Sequence, residues 1–457
     1  MKKILFLSLM AGLLISCNYQ PENNEAQSVE TDIVYNKQLP NWAHDASIYE
    51  VNIRQYTPEG TIKAFTKHLD RLQKLGVEIL WIMPVQPIGE EKRKGELGSY
   101  YSISDYTAVN PNFGTVADFK YMVQEAHKRG MKVILDWVAN HTAFDHHWTE
   151  EHPDWYTRDS LGNIVSPVED WSDVADLNYD AEGMPEAMQE EMLWWVNECD
   201  IDGFRCDVAM MVPMAFWNNT RARLDSVKPV FMLAEAEGPE FHNQAFDMTY
   251  GWEFHHIMNE VAKGEKPVSA FEEYRAKIDS LYQPEDIHMY FTTNHDENSW
   301  NGTVFERMGA NHKNLFVLAA TFKSGMPLIY SGQEAGLKHR LSFFGKDSID
   351  WSNLELKDFY EKVIALKSLH PALANGEAEG SFEELLRLDA NQIYAYKRVK
   401  GDEELWVFLN FSENAFDFKS EDIDETFKDV ISGKEVKLSP TSKLMVEANS
   451  FRLLTTK

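Results

Sequence analysis

Residues 201–207 read IDGFRCD, a short stretch that combines apolar and charged side chains. A Gly-Phe pair leads into Arg205, Cys206 and Asp207 within a run that otherwise reads as buried. Charged side chains are rarely buried unless they are paired or functional. Side chains two residues apart on a strand point to the same face, so Arg205 and Asp207 would project together. The stretch predicts a buried strand that brings a guanidinium and a carboxylate to its own carboxyl end.

Seven other short runs have the same buried character, and helical patterns lie between them. These runs are SIYEVNI (47–53), VEILWIM (77–83), KVILDWV (132–138), PVFMLAE (229–235), AFDMTY (245–250), HMYFTTN (288–294) and MPLIY (326–330). Helical patterns fall around 62–75, 116–129 and 184–198. Continuous apolar strands that alternate with helices are typical of an α/β fold with a parallel sheet. Eight such units favour a closed (β/α)8 TIM barrel over an open sheet.

The chain divides around this barrel into further predicted segments. We expect the barrel to occupy residues 45–370, with a short inserted subdomain after strand 3 at about 142–178, where Trp, His, Asp and Pro are frequent. QIYAYKRV (392–399) and ELWVFLNF (404–411) flank a turn and predict a β-hairpin. Residues 371–457 are therefore predicted to form a C-terminal antiparallel β domain, a β-sandwich.

The first residues resemble a targeting segment. Residues 1–17, MKKILFLSLMAGLLISC, carry two lysines and then an apolar run too short to span a bilayer. The run ends like a bacterial lipobox, which implies a signal peptide over residues 1–16 and a lipid on Cys17; a plain secretory signal is the alternative. The polar residues 17–44 would form a tether. We therefore expect a membrane-anchored lipoprotein, periplasmic or on the cell surface.

The charge balance excludes one class of partner. The 457 residues include 73 Asp and Glu against 44 Lys and Arg, a formal net charge of −29. Such a surface repels nucleic acid, so we expect no nucleic-acid partner and favour a neutral substrate. Cys199 and Cys206 lie in or beside apolar runs without metal-ligand spacing, which predicts two buried thiols and leaves a disulfide between them open.

Polar side chains follow several of the predicted strands. Asp207 ends strand four, Glu235 ends strand five and Asp296 follows strand seven, with His141 after strand three and His295 beside Asp296. Catalytic groups of TIM barrels lie at the carboxyl ends of the strands. Three carboxylates from different strands are therefore expected to converge with two histidines at the barrel mouth.

Several of these segments together resemble a known family. DWVANH (136–141), GFRCD (203–207), AE (234–235) and NHD (294–296) resemble, in order and spacing, the four signature regions of the α-amylase family, glycoside hydrolase family 13. VADLN (174–178) resembles the fifth region, and SYYSISDY (99–106) resembles the tyrosine-bearing loop after strand two. The resemblance spans roughly residues 45–450 and implies a glycosidase on a TIM barrel.

The resemblance implies a role for each carboxylate. Asp207 matches the nucleophile, Glu235 the acid/base and Asp296 the third carboxylate, which grips sugar hydroxyls. Retaining glycosidases separate the first two carboxyl groups by about 5–5.5 Å. Arg205 would hold the pKa of Asp207 down so that it stays ionised. The pKa of Glu235 would be raised so that it can protonate the leaving oxygen.

Other positions are assigned in the same way. His141 and His295 match the histidines that bind the sugar in the −1 subsite, and Tyr101 matches the tyrosine that stacks beneath that ring. Asp105 and Asp136 match no catalytic position, and we expect them to be buried structural carboxylates.

Calcium is the usual structural ion of the family. Asn140 and Asp176 match two of its common ligand positions, and oxygen ligands suit a hard cation. The alternative is two hydrogen-bonded polar groups without a metal. No organic cofactor is expected.

The sequence departs from the family pattern beside the nucleophile. Met210 and Met211 replace a common Lys-His pair on the leaving-group side, and Ala234 replaces a glycine. Trp148, Trp155 and Trp171 in the insertion, and Trp300 after Asp296, are either sugar-stacking platforms or core residues.

The expected activity is retaining hydrolysis of α-1,4-glucosidic bonds in starch or malto-oligosaccharides. The alternatives within the family are an oligosaccharide α-glucosidase, a cyclomaltodextrinase or neopullulanase, and a transglycosidase. A non-catalytic starch-binding lipoprotein is a more distant alternative.

Overall fold

The computed structural model describes residues 37–419 and 422–456. In chain order the strands are β1 (Ile48–Val51), β2 (Ile79–Ile82), β3 (Lys132–Trp137), β4 (His141–Ala143), β5 (Val174–Asp176), β6 (Gly203–Cys206), β7 (Phe231–Ala234), β8 (Met248–Tyr250), β9 (Ile287–Phe291), β10 (Gly325–Tyr330), β11 (Ser381–Leu388), β12 (Ile393–Lys400), β13 (Glu403–Asn410), β14 (Phe416–Phe418), β15 (Glu425–Asp429), β16 (Glu435–Leu438), β17 (Leu444–Val446) and β18 (Ser450–Thr455). The helices are α1 (Ile53–Tyr56), α2 (Ile62–Thr66), α3 (Leu69–Leu75), α4 (Val116–Lys128), α5 (Trp148–Glu151), α6 (Met184–Cys199), α7 (Met214–Asp225), α8 (Trp252–Ala262), α9 (Ser269–Leu281), α10 (Val304–Met308), α11 (His312–Thr321) and α12 (Lys357–Leu369).

Eight parallel strands close into a barrel in the order β1-β10-β9-β8-β7-β6-β3-β2. Alternate side chains fill its interior, such as Ile48 on β1 and Ile134 on β3. The neighbouring side chains, such as Tyr49 and Val133, pack outward against the helices. Strands buried on both faces read as continuous apolar runs, which is why the sequence indicated a parallel barrel. The predicted TIM barrel is confirmed.

The first predicted helix, over residues 62–75, is wrong in one respect. This segment forms two helices, α2 and α3, because the helix is interrupted at Lys67 and His68. At the interruption the His68 ring packs edge-on against Tyr56 at 5.2 Å. Helix α3 ends at Gly76, whose φ of 91° lies in the left-handed region that glycine adopts readily. The helix predicted over 116–129 forms α4, which begins with a capping box between Thr115 and Asp118.

The C-terminal region consists of antiparallel sheets, as predicted, and the insertion is closed by a pair of short strands. Strands β4 and β5 pair antiparallel and bring the two ends of the insertion together at the barrel mouth. Beyond the barrel, a six-stranded sheet has the order β11-β12-β13-β18-β15-β16, and β14 pairs with β17. Every strand pair in these two sheets is antiparallel.

The end of the predicted tether lies elsewhere than expected. Leu39 and Trp42 pack against the interior cluster of the barrel and Ala43 is fully buried, so these residues of the predicted tether 17–44 belong to the barrel. The predicted signal peptide and Cys17 lie outside the described residues. Cys199 and Cys206 are buried free thiols, without a disulfide between them. Among the described residues no helix has the length and apolar character needed to cross a membrane.

A close contact between β6 and β7 brings the ends of these two strands together. A Cβ atom at Gly203 would lie 1.9 Å from the carbonyl oxygen of Phe231, so only glycine allows β6 and β7 to approach this closely. The register pairs Cys206 with Ala234. The residues that follow these two, Asp207 and Glu235, therefore leave adjacent strands at the same height.

Candidate active site

A cavity of about 490 Å³ opens at the carboxyl ends of the barrel strands. Its lining residues are Lys94, Ser99, Tyr101, His141, Asp170, Trp171, Asp173, Val174, Asp207, Val208, Glu235, His295, Asp296, Trp300, Phe343 and Phe344. Six of the seven catalytic and sugar-binding residues expected from the sequence are in this group. The seventh, Arg205, is fully buried and contacts both Asp207 and Glu235.

Arg205 joins three carboxylates. Its Nη1 atom lies 2.9 Å from Asp136 Oδ1 and 2.9 Å from Asp207 Oδ1, and its Nη2 atom lies 2.9 Å from Glu235 Oε2. Its Nε–H donates to the hydroxyl of Tyr250 at 3.1 Å. A planar guanidinium with donors on every nitrogen suits such a buried position. One side chain therefore fixes the relative positions of the two carboxylates that face the cavity.

The pKa of Asp207 differs from the sequence-based expectation. Burial raises this pKa well above its usual range, and Glu235 and Asp136 add to the increase, although the Arg205 guanidinium opposes it. The expected net direction, a pKa held down by Arg205, is therefore wrong. The reason is that Asp207 is almost fully buried and shares its guanidinium with two other carboxylates.

The pKa of Glu235 is shifted in the expected direction. Burial raises its pKa, Arg205 lowers it and Asp296 raises it. Its Oε2 atom accepts a hydrogen bond of 2.8 Å from the backbone N–H of Val208, the residue after Asp207. Val208 has φ 36° and ψ 46°, a left-handed conformation that is rare for a β-branched residue.

His295 lies between two acidic side chains. Its Nδ1 atom is 2.5 Å from Glu50 Oε1, and its Nε2 atom is 3.4 Å from Asp296 Oδ2 and 2.7 Å from the Tyr101 hydroxyl. Burial lowers the pKa of His295, but Asp296 and Glu50 outweigh burial and raise this pKa to about 9. The imidazole is therefore protonated at neutral pH.

Glu50 is the functional candidate that the sequence reasoning missed. It is fully buried on β1, where alternation places it in the barrel interior above Ile48. The signal was present, because SIYEVNI carries a single acidic residue inside an apolar strand. No spacing motif marks this residue, however, and its partner His295 is 245 residues away along the chain.

Tyr101, in the loop after β2, and His141, at the start of β4, both line the cavity. The Tyr101 ring stacks on the His295 ring at 5.5 Å, and its hydroxyl donates to Asp136 at 3.1 Å. Burial lowers the pKa of His141 to about 3, so its ring is neutral. The amide of Asn140 lies 3.3 Å from His141 Nδ1.

Asp136 and Asp105 do not line the cavity. Asp136 is fully buried and accepts hydrogen bonds from Trp81 Nε1, Tyr101 and Arg205. Asp105 accepts a hydrogen bond of 3.0 Å from the backbone N–H of Thr107 in a local turn. Both carboxylates have structural partners.

The four tryptophans considered for sugar stacking fall into two groups. Trp171 and Trp300 line the cavity, whereas Trp148 and Trp155 are buried in the insertion and pack edge-on at 5.1 Å. Trp300 is 51% exposed and lies 5.1 Å from the ring of Phe343, another cavity residue.

The described residues provide only part of a calcium site. Asp176 is the last residue of β5 and pairs with His141, the first residue of β4, so it lies near Asn140, which directly precedes β4. Within residues 37–419 and 422–456, no group of three or more His, Cys, Asp and Glu side chains is arranged to hold a metal ion. Six to eight oxygen ligands are usual for calcium, so backbone carbonyls and waters would have to supply most of them.

Comparisons with known proteins identify the family of this chain. The family model for the α-amylase catalytic domain matches residues 24–171 and 167–372. An α-amylase, MalA, of Haloarcula japonica is 27% identical over 81% of this chain, which spans 56% of that relative's length. A maltogenic α-amylase of Bacillus acidopullulyticus is 25% identical over 91% of this chain and 78% of its own.

Two solved structures are also similar. The crystal structure of an α-amylase from Lactobacillus plantarum has a TM-score of 0.81 and 28% identity, covering 91% of this chain and 99% of its own. That of a noncanonic maltogenic α-amylase, AmyB, from Thermotoga neapolitana has a TM-score of 0.81 and 30% identity, covering 90% and 98%. With the family model matching more than half of its residues, the chain belongs to the α-amylase family of glycosidases, glycoside hydrolase family 13.

Proposed function

We propose that this protein hydrolyses α-1,4-glucosidic bonds in starch or malto-oligosaccharides with retention of anomeric configuration. The observation that carries the proposal is the shared guanidinium: Arg205 holds Asp207 and Glu235 on adjacent nitrogens at the cavity wall. Two carboxylates that contact one guanidinium suit a double displacement, in which one attacks the sugar and the other protonates the leaving oxygen. The relatives named α-amylase and maltogenic α-amylase support an α-glucan as the substrate.

Asp207 is positioned to act as the nucleophile. Its Oδ1 atom accepts the hydrogen bond from Arg205, which leaves Oδ2 for attack on the anomeric carbon. Glu235 gives its proton to the glycosidic oxygen as the bond from that oxygen to the anomeric carbon breaks and the bond to Asp207 forms. In the second step Glu235 takes a proton from water, whose oxygen displaces Asp207 from the same carbon.

The carboxylates around Arg205 favour one retained proton. Asp136, Asp207 and Glu235 together carry three negative charges when ionised, against a single positive charge on Arg205. Such groups titrate as a unit rather than one by one. Glu235 holds this proton in our proposal, while contact with Arg205 and binding of an electron-poor anomeric carbon favour the ionised form of Asp207.

The roles of Asp207 and Glu235 can be separated with two substrates. α-Maltosyl fluoride has a leaving group that needs no protonation, whereas maltoheptaose does. We expect Glu235→Gln to lose at least a thousandfold in kcat/KM on maltoheptaose while still releasing fluoride in a first turnover. Asp207→Asn should lose both activities. Glu237→Gln is a matched control, because Glu237 lies two residues away and does not line the cavity.

Two results would contradict this assignment. If Glu235→Gln loses fluoride release by the same factor as its activity on maltoheptaose, Glu235 is not the acid/base. Turnover of either substrate by Asp207→Asn at the unmutated rate would remove the nucleophile role.

We also propose that Cys17 carries a lipid anchor. The support is the sequence Leu14-Ile15-Ser16-Cys17 after an apolar run. A Cys17→Ser variant should move from the membrane fraction to the soluble fraction of the producing bacterium. Unchanged partition, with no lipid on the unmutated protein by mass spectrometry, would contradict the anchor.

Calcium binding is a further part of the proposal. Asn140 and Asp176 would contribute two oxygen ligands, and the ion would stabilise the junction of insertion and barrel. Chelation should then lower the melting temperature, and added calcium should restore it in the unmutated protein but not in Asp176→Ala. A melting temperature that does not respond to chelator or calcium would contradict the site.

A further inference from the structure

A continuous chain of hydrogen bonds runs from β1 to the proposed nucleophile. It begins at the Glu50 carboxylate and passes through the His295 ring to the Tyr101 hydroxyl. It continues from this hydroxyl to Asp136, which accepts from Arg205, the residue that also donates to Asp207. Every residue of this chain is buried, and Asp207 and Tyr101, which line the cavity, keep slightly more exposure than the others.

The charge on His295 decides the direction of these hydrogen bonds. A protonated ring donates from Nδ1 to Glu50 and from Nε2 to the Tyr101 oxygen, so the Tyr101 O–H is free to donate to Asp136. A neutral ring that donates to Glu50 must accept at Nε2, so Tyr101 turns its O–H toward His295. Asp136 then loses one of its donors and is left with Trp81 and Arg205.

The main partner of the Glu50 carboxylate is the His295 ring. Within the part of the chain that the structure describes, the Oε2 atom of Glu50 is buried without a hydrogen-bond partner, and its Oε1 atom lies 2.5 Å from His295 Nδ1. Burial raises the pKa of Glu50 and the contact with His295 opposes this rise, so the carboxylate and the imidazolium stabilise each other where the effective dielectric constant is low. The ionisable groups that face the His295 ring are Glu50 on β1, Tyr101 after β2, Asp136 on β3, Arg205 on β6, Glu235 after β7 and the adjacent Asp296.

We propose that Glu50 is a positioning residue for the reaction: it holds His295 as the cation that donates toward Tyr101 and so keeps Asp136 and Arg205 oriented on Asp207. This inference rests on the proposed function, since it assigns Asp207 as the nucleophile. Asp296 also faces His295, but about a third of its side chain is exposed, so solvent screens its charge more than that of Glu50.

The test is Glu50→Gln, which removes the charge and keeps an acceptor for Nδ1–H. The pKa of His295 should fall from about 9 toward the ordinary histidine value. With a pKa of ~6.5, only ~3% of the ring is protonated at pH 8. The kcat/KM on maltoheptaose should therefore fall roughly thirtyfold relative to the unmutated protein at pH 8 and far less at pH 5.5. A merely structural role would give a loss that is independent of pH.

The control is Asp202→Asn, which alters a second carboxylate–histidine pair at the opposite end of the barrel, where the buried Asp202 lies 2.6 Å from Nε2 of the half-buried His127. Its pH profile should match that of the unmutated protein. A Glu50→Gln profile parallel to the unmutated one would overturn the inference.

A second readout does not depend on turnover. Nitrogen-15 NMR of labelled histidine, assigned with His295→Asn, should show the ring titrating near pH 9 in the unmutated protein. In Glu50→Gln the ring should titrate at least one pH unit lower, and an unchanged titration would overturn the inference. Absence of turnover by the unmutated protein would instead contradict the proposed function, while this titration still decides the role of Glu50.

Discussion

The backbone N–H of Val208 donates to Glu235 Oε2 across 2.8 Å, from a left-handed conformation with φ 36° and ψ 46°. A β-branched residue in this conformation is strained by about 1–3 kcal/mol. The strain lies between the residues proposed as nucleophile and acid/base, because Val208 directly follows Asp207. The contact links the turn after β6 to the carboxylate after β7.

Val208→Gly should separate stability from activity. Glycine adopts positive φ freely, so relief of strain offsets its larger backbone entropy, and the free energy of unfolding should change by less than about 1 kcal/mol. The N–H is then less firmly aimed at Glu235, and kcat on maltoheptaose should fall severalfold with little change in KM. Urea unfolding and steady-state kinetics check this, and an unchanged kcat would contradict the positioning role of the turn.

Arg205→Met should destabilise the protein strongly at neutral pH. Removing the guanidinium leaves Asp136, Asp207 and Glu235 buried without their shared cation. Breaking a buried ion pair in this way costs roughly 3–5 kcal/mol. As a control, Lys120→Met breaks a surface pair with Glu198 and should leave the free energy of unfolding nearly unchanged. Equal losses of unfolding free energy in the two variants, measured with urea, would show that Arg205 does not stabilise the three buried carboxylates.

Glu297 should contribute to acid stability. Burial raises its pKa, but His255 and Arg307 outweigh burial and lower this pKa to about 2. A folded-state pKa below the unfolded value near 4.5 gives stability that is present above pH 4.5 and lost as the pH falls toward 2. This amounts to roughly 2 kcal/mol after allowance for solvent screening.

Glu297→Gln should therefore be less stable than the unmutated protein at pH 6, and the difference should shrink between pH 4.5 and pH 2. Urea unfolding at a series of pH values measures this difference. A difference that stays constant over the range would show that the Glu297 charge does not stabilise the fold.

Trp300 and Trp148 should respond in opposite ways to alanine. Trp300 is half exposed beside Phe343, so Trp300→Ala should leave stability nearly unchanged and raise KM for malto-oligosaccharides about fivefold, as expected for loss of one stacking contact. Trp148 is buried, and Trp148→Ala should cost about 3–5 kcal/mol of stability. An unchanged KM in Trp300→Ala would exclude a sugar-stacking role.

The barrel was predictable because its signal is local. Each strand is a short, continuous apolar run, and KVILDWV and IDGFRCD could be recognised by their length and composition without knowledge of their neighbours. The break between α2 and α3 was not predictable, because it depends on the packing of His68 against Tyr56, which only the tertiary structure creates.

The cavity residues also differ in how far the sequence could predict them. Asp207, Glu235 and Asp296 stand in recognisable motifs, whereas Glu50 is a single glutamate whose meaning comes from His295 on a distant strand. The direction of the pKa shift at Asp207 also escaped prediction, because it depends on how deeply the carboxylate is buried and how many carboxylates share Arg205.

The anomeric form of the first product tests directly whether the protein hydrolyses α-glucans with retention through Asp207. The protein from residue 18 onward would be mixed with maltoheptaose in an NMR tube, with Asp207→Asn run alongside. Retaining hydrolysis through Asp207 predicts that α-anomeric signals appear first and that the variant gives none. First appearance of β-anomers, or an unchanged rate in Asp207→Asn, would contradict it.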